Sequence, residues 1–156
     1  MNLQNNEIII YTDGSCLGNP GKGGYCSILL YKEHEKILTE GFQKTTNNRM
    51  ELLSVVVALE SLKKFDIPIK VYTDSSYVVN SINKKWLDKW LKDANFCNKK
   101  NKDLWIRFNN VRKLIDNFEI FWIKGHNNNY YNERCDQIAK NSANQNNLNK
   151  DYGYKP

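Results

Sequence analysis

Proline and cysteine are scarce in this chain, and long apolar runs are missing altogether. With 3 prolines in 156 residues and no Ser- or Gly-rich stretch, no segment reads as a linker or a low-complexity region. One domain is therefore expected over 1–156, with its core at about 7–144 and a polar, frayed tail over 145–156. The longest apolar runs, Ile8 to Ile10 and Val55 to Leu59, cannot cross a bilayer, and Met1 to Asn6 lacks the basic and apolar regions of a secretory signal. The expectation is a cytoplasmic protein without membrane attachment, acting as a monomer with no obligate protein partner. Cys16, Cys26, Cys97 and Cys135 form no C-x-x-C pair, which argues against a disulfide scaffold. A zinc site built on Cys135 and His126 would lack further ligands at zinc-like spacing.

What the chain does have is positive charge. A formal net charge of +6 and a pI near 9.1 suit a polyanionic partner, although a lysine-rich solvated surface gives a similar sum. The β-branched and aromatic run Glu7 to Thr12 predicts a strand that stops at Asp13-Gly14-Ser15. After the glycine-rich loop Gly18 to Gly24, the runs Tyr25 to Tyr31 and Lys36 to Gln43 complete a three-strand antiparallel meander. Helical spacing of Met50, Leu53, Val57 and of Leu52, Val56, Leu59 predicts a first helix up to Lys64, with N-cap candidates in Thr45 to Asn48. Ile69 to Thr73 reads as a buried strand ending in Asp74. A helix over Tyr77 to Lys92 follows, with Trp86 and Trp90 one turn apart, then a lysine-rich stretch from Asp93 to Asp103. A helix over Leu104 to Ile115, a strand over Phe118 to Lys124, the loop Gly125 to Asn129 and a helix over Asn132 to Asn144 close the order. The fold class is α/β: a five-stranded mixed sheet, three antiparallel strands plus two parallel ones, flanked by helices.

Asp13 and Asp74 each end a predicted strand, and ligand sites in open α/β sheets lie beyond such ends. If those strands are adjacent and parallel, two carboxylates meet at one point, an arrangement that a hard cation relieves. Glu51 in a first helical turn and Asp136 near the start of the last helix would complete an all-oxygen set suited to Mg²⁺ or Mn²⁺. A pair of such ions activates water and stabilises a leaving oxygen at phosphorus. Taken singly, each acid is an ordinary turn or helix-start residue. His126, in a loop of Gly125 and Asn127 to Asn129, titrates near neutral pH and suits proton transfer.

Thr12-Asp13-Gly14-Ser15-Cys16-Leu17-Gly18-Asn19-Pro20-Gly21, Thr46-Asn47-Asn48-Arg49-Met50-Glu51-Leu52, Thr73-Asp74-Ser75, and Gly125-His126 followed by Asn132-Glu133-Arg134-Cys135-Asp136 occur in that order. Together these blocks closely resemble the bacterial type 1 ribonuclease H family, over about Ile8 to Ala143. The resemblance implies the ribonuclease H-like fold and two Mg²⁺ ions, with Mn²⁺ as a substitute. It implies metal-binding catalytic acids at Asp13, Glu51, Asp74 and Asp136, a mobile catalytic histidine at His126, and endonucleolytic cleavage of the RNA strand of RNA/DNA hybrids to 5′-phosphate and 3′-hydroxyl ends.

The same resemblance implies that Asn19, Asn47 and the backbone near Gly14 and Ser76 face the RNA strand, while Thr46, Asn19 and Lys44 hold a phosphate of the DNA strand. Trp86 and Trp90 would line the channel for DNA sugars, with Lys92, Lys99, Lys100 and Lys102 on a basic protrusion. Two departures stand out. Ser76 replaces a common glutamine, and Asn127-Asn128-Asn129-Tyr130-Tyr131 replaces a loop that typically carries small residues, a second histidine and proline. Other readings are a silent hybrid-binding module, which would be expected to lack an acid, and an integrase- or resolvase-type nuclease of the same fold. An actin-like ATPase would need a second phosphate loop and a longer chain.

Overall fold

Each strand's partner explains its composition. In the computed structural model, which describes residues 6–93, 99–125 and 127–156, β1 (Ile8–Leu17), β2 (Gly21–Tyr31) and β3 (His34–Thr45) form an antiparallel meander. Then β4 (Ile69–Thr73) joins β1 in parallel and β5 (Phe118–Trp122) joins β4 in parallel, giving the order β3-β2-β1-β4-β5. Both faces of β2 are covered, so its side chains sort by alternation rather than by polarity. Tyr25 and Leu29 enter the main core with Ile10, Val71 and helix α1 (Asn47–Glu60), while Cys26 and Ile28 meet Cys135 and Ala139 of α5 (Tyr130–Ala143). From Tyr131 in the first turn of α5, a row of stacked rings continues through Tyr11, Tyr72 and Phe121 across β1, β4 and β5, with centroids 5.0–5.3 Å apart.

Helix α1 carries two apolar stripes because it is buried almost all round, from Met50 to Leu59. It ends at Glu60 rather than Lys64, its C-cap being Ser61. The expected single helix over 77–92 is two, α2 (Ser76–Asn83) and α3 (Trp86–Lys92), since Lys85 adopts φ 60° and ends the α2 ladder. The Asn83 amide then ties the end of α2 to β5 through the Ile120 carbonyl at 3.0 Å. Helix α4 (Lys102–Arg112) buries Leu104, Trp105 and Phe108. Helix α5 starts two residues earlier than the periodicity predicts, because the Asn129 side chain accepts the Asn132 amide hydrogen as N-cap.

Two expectations need correction. Asp13 does not end its strand: the parallel ladder with β4 stops at Thr12, but the antiparallel ladder with β2 continues to Leu17, with Asp13 opposite Cys26. The segment 145–156 is docked rather than frayed. Asn149 exchanges backbone hydrogen bonds with Gly41 and Gln43 on β3, and the Asp151 side chain is only 7% exposed. Among the described residues, no helix is long and apolar enough to cross a membrane.

Candidate active site

The end of the β1–β4 parallel ladder brings Asp13 and Asp74 together, and α1 adds Glu51, which is its fifth residue rather than part of its first turn as expected, because the helix begins at Asn47. One carboxylate oxygen from each lies within 4.8 Å of the others. The approach of α1 to β1 depends on Gly14, where a Cβ would collide with the backbone of Met50 and Glu51. In its place the Gly14 amide donates to Glu51 Oε1 and to Asp13 Oδ1, the latter at 2.9 Å. Asp74 follows β4 directly, and Ser75 caps α2 by accepting the Val78 amide hydrogen at 3.2 Å. The indole of Trp122 donates to the Asp74 carbonyl at 3.1 Å, a hold that no sequence pattern announces.

The electrostatics set this group apart from a surface acid cluster. Asp13 and Glu51 are 4% and 5% exposed. Burial pushes the Asp13 carboxyl up to about 8, and the charges of Asp74 and Asp136 add to that; its hydrogen bond with Glu51 and the Gly14 amide pull the other way. Glu51 is raised well above the usual carboxylate range, first by burial and then by Asp13. Among the described residues, no cation pairs with Asp13, Glu51 or Asp74. Three hard oxygen donors with their repulsion uncompensated fit a divalent cation.

Asp136 stands apart from this trio. It lies near enough to raise Asp13, yet its carboxylate pairs with Lys140 one turn along α5, Nζ to Oδ2 3.0 Å. His126 lies outside the described residues. Gly125, just before it, packs so tightly on Asp74 that a Cβ would stand 2.7 Å from Oδ2.

The predicted substrate residues separate into two groups. Asn19, Thr46 and Asn47 form one edge: the Asn47 amide donates to Asn19 Oδ1 at 3.0 Å, and Thr46 Oγ1 caps α1 by accepting from the Arg49 amide at 3.3 Å. Lys44 is exposed nearby on β3, and Ser76 is exposed at the start of α2. Trp86 and Trp90 share α3 but not an environment. Trp86 is 38% exposed, whereas Trp90 packs edge-on against Trp105 at 5.9 Å and receives Lys99 Nζ 4.7 Å above its ring. Within the basic stretch, residues 94–98 lie outside the described residues. A cleft of about 920 Å³ runs beside the Asn19–Thr46 edge rather than over the acids, with Lys99, Lys102 and Lys155 in its walls. Missed by sequence reasoning was Asp151, which accepts from Thr45 and Arg49 beneath this edge.

Comparison with known proteins bears on the whole chain. The RNase H family model matches residues 5–144. The ribonuclease H of Desulforamulus reducens is 51% identical over 148 residues, covering 91% of each chain. That of Proteus mirabilis is 50% identical over 154 residues, covering 95% of this chain and 93% of the other. Among solved structures, LC9-RNase H1, described as a type 1 RNase H with the type 2 active-site motif, superposes with a TM-score of 0.72 at 25% identity, covering 88% of this chain and 72% of that one. LC11-RNase H1 in complex with RNA/DNA hybrid shares the fold, with a TM-score of 0.64 at 23% identity, covering 88% and 96% of the two chains.

Proposed function

This chain belongs to the ribonuclease H family and is a ribonuclease H, and from that premise we propose how its own residues cut the RNA strand of an RNA/DNA hybrid. The observation that carries the reading is the trio of buried Asp13 and Glu51 and half-buried Asp74, within 4.8 Å of one another and without an ion-pair partner among the described residues. These three acids would hold Mg²⁺, with Mn²⁺ as a substitute, and Asp136 would join them by exchanging Lys140 for the ion. When bound, a pair of such ions supplies the positive charge that lowers the pKa of the attacking water and stabilises the leaving 3′ oxygen.

The protein's residues position everything else. The Gly14 amide orients Glu51 and Asp13, so the acids need no reorganisation when the reaction begins. Asn19, Asn47 and the backbone near Gly14 and Ser76 face the ribose side of the hybrid, where short polar groups can detect a 2′-hydroxyl. Thr46, Asn19 and Lys44 hold a phosphate of the DNA strand. Trp86 contacts DNA sugars from its exposed ring, and Trp90, fixed by Trp105, carries Lys99 toward the backbone. His126 takes or gives the proton at the scissile phosphate. The enzyme works in the cytoplasm as a monomer and needs no protein partner.

The experiment is cleavage of end-labelled hybrid, single-stranded RNA, RNA duplex and DNA duplex in Mg²⁺ by the wild type and Asp13→Asn. Hybrid alone should be cut, and only by the wild type. Equal activity of the variant would remove the trio from the mechanism, and preference for another substrate would remove the proposed function.

A further inference from the structure

The turn that carries Thr46 and Asn47 is fastened at both ends by one carboxylate from the far end of the chain. Asp151 Oδ2 accepts from Thr45 Oγ1 at 2.6 Å and from Arg49 Nε at 2.8 Å, while Oδ1 accepts from Arg49 Nη2 at 3.1 Å. Arg49 is held from its other side by a two-pronged pair to Asp103 on α4, both contacts 2.8 Å. The Arg49 and Asp151 side chains are only 4% and 7% exposed. We propose that the C-terminal segment is a working part of the substrate site, with Asp151 as a positioning residue that fixes the Thr46–Asn47 edge through Thr45 and Arg49. This rests on the hybrid-cleaving reading above, which assigns Thr46 and Asn47 to the substrate.

Three features favour positioning over support alone. The residues spanned by the staple, 45 to 49, include two of the predicted substrate contacts, Thr46 and Asn47, and leave out the acids. Within that span the Arg49 amide itself donates to Thr46 Oγ1, and the neighbouring Asn47 amide donates to Asn19 Oδ1. A buried ion cluster is also a poor way to gain stability, because desolvation of its charges offsets most of their attraction, whereas it is a good way to select one geometry. Glu51, although only two residues further on, is anchored independently by the Gly14 amide. Loosening the staple should therefore spare the acids, weakening substrate grip and leaving the chemical step intact.

The test is steady-state hybrid cleavage by Asp151→Asn and Gly153→Ala, well below each variant's melting midpoint. Gly153→Ala keeps every charge, but its Cβ would strike Arg49 Nη2 and Asp103 Oδ2, so the cluster must shift. Both variants should raise KM roughly three- to tenfold, the loss of about one well-placed hydrogen bond, with kcat within about twofold and the Mg²⁺ dependence of the rate unchanged. A core truncation at Ile115, which is 3% exposed and packs in the apolar core, should lower stability and leave KM alone. Wild-type KM in both variants overturns the positioning role, and so does a joint loss of kcat with an altered Mg²⁺ requirement. If Asp151→Asn does not fold, Gly153→Ala decides. A wild type that fails to cut hybrid overturns the cleavage reading itself, which is distinct from a wild type that cuts with variants of unchanged KM.

Discussion

Two residues apart near the start of α1, Arg49 and Glu51 are both buried and have opposite company. Arg49 is surrounded by two carboxylates and by the Asn101 amide oxygen. Glu51 is surrounded by further carboxylates, with only the Gly14 amide in its favour. One turn of helix thus holds a charge cluster that is complete and one that lacks a counter-charge. The complete cluster can only fix structure. The incomplete one costs stability until a cation arrives, which is how a binding site differs from a brace.

The sharpest way to break this comparison is to remove a charge from each cluster. Asp13→Asn should cut hybrid cleavage roughly 10²- to 10³-fold or more, since the carboxylate charge it deletes is one of those that would hold the divalent cation. The same change should raise the melting midpoint of the metal-free protein, because the cost of burying that carboxyl, and with it the repulsion from Asp74 and Asp136, disappears. Arg49→Ala should do the reverse to stability: with Asp151 left buried and unpaired, unfolding in urea should show a loss of about 3–5 kcal/mol. Were Asp13→Asn destabilising and Arg49→Ala neutral, the contrast between the clusters would be gone.

A smaller effect follows from pH. In the folded, metal-free protein Asp13 keeps its proton up to about 8 and Glu51 is raised as well, while in the unfolded chain both lose theirs near 4. Between those values the native state binds more protons than the unfolded one, so stability must fall as pH rises through that window, and it is fully restored only below it. The midpoint measured in a chelator should therefore decline steadily from about pH 5 to about pH 8. Magnesium at pH 8 should recover it. Asp13→Asn should flatten the slope, while Asp151→Asn should leave it standing, since no residue of the acid trio touches that cluster.

Much of this was readable along the chain, for reasons that differ by residue. The meander and the two parallel strands follow from β-branched runs, and the family motifs put Asp13, Glu51 and Asp74 into one site, where they are found. What could not be read depends on partners distant in sequence. Asp13 lies inside β1 because β2 extends its ladder past the point where β4 stops. The break between α2 and α3 falls on Lys85, a residue type that gives no warning of a positive φ. The docked tail depends on Asp151 meeting Arg49 across 102 positions, so a polar, asparagine-rich segment reads locally as frayed although its one buried carboxylate anchors it.

Asp136 sits between the two clusters in character, and it offers the mildest test. It faces the unpaired trio closely enough to raise Asp13, yet it has a partner in Lys140, whose ammonium is drawn above its ordinary range by that contact. If Asp136 belongs to the metal site, Lys140 occupies in the metal-free protein the carboxylate that the ion would take, and the two compete. Lys140 is exposed, so the competition is weak, and Lys140→Ala should lower the Mg²⁺ concentration for half-maximal cleavage only about two- to threefold, with kcat unchanged. Titration of the rate with Mg²⁺ at fixed ionic strength reads this directly. An unchanged half-maximal concentration would mean that Lys140 does not compete for the carboxylate, leaving the trio of Asp13, Glu51 and Asp74 to set the affinity for the ion.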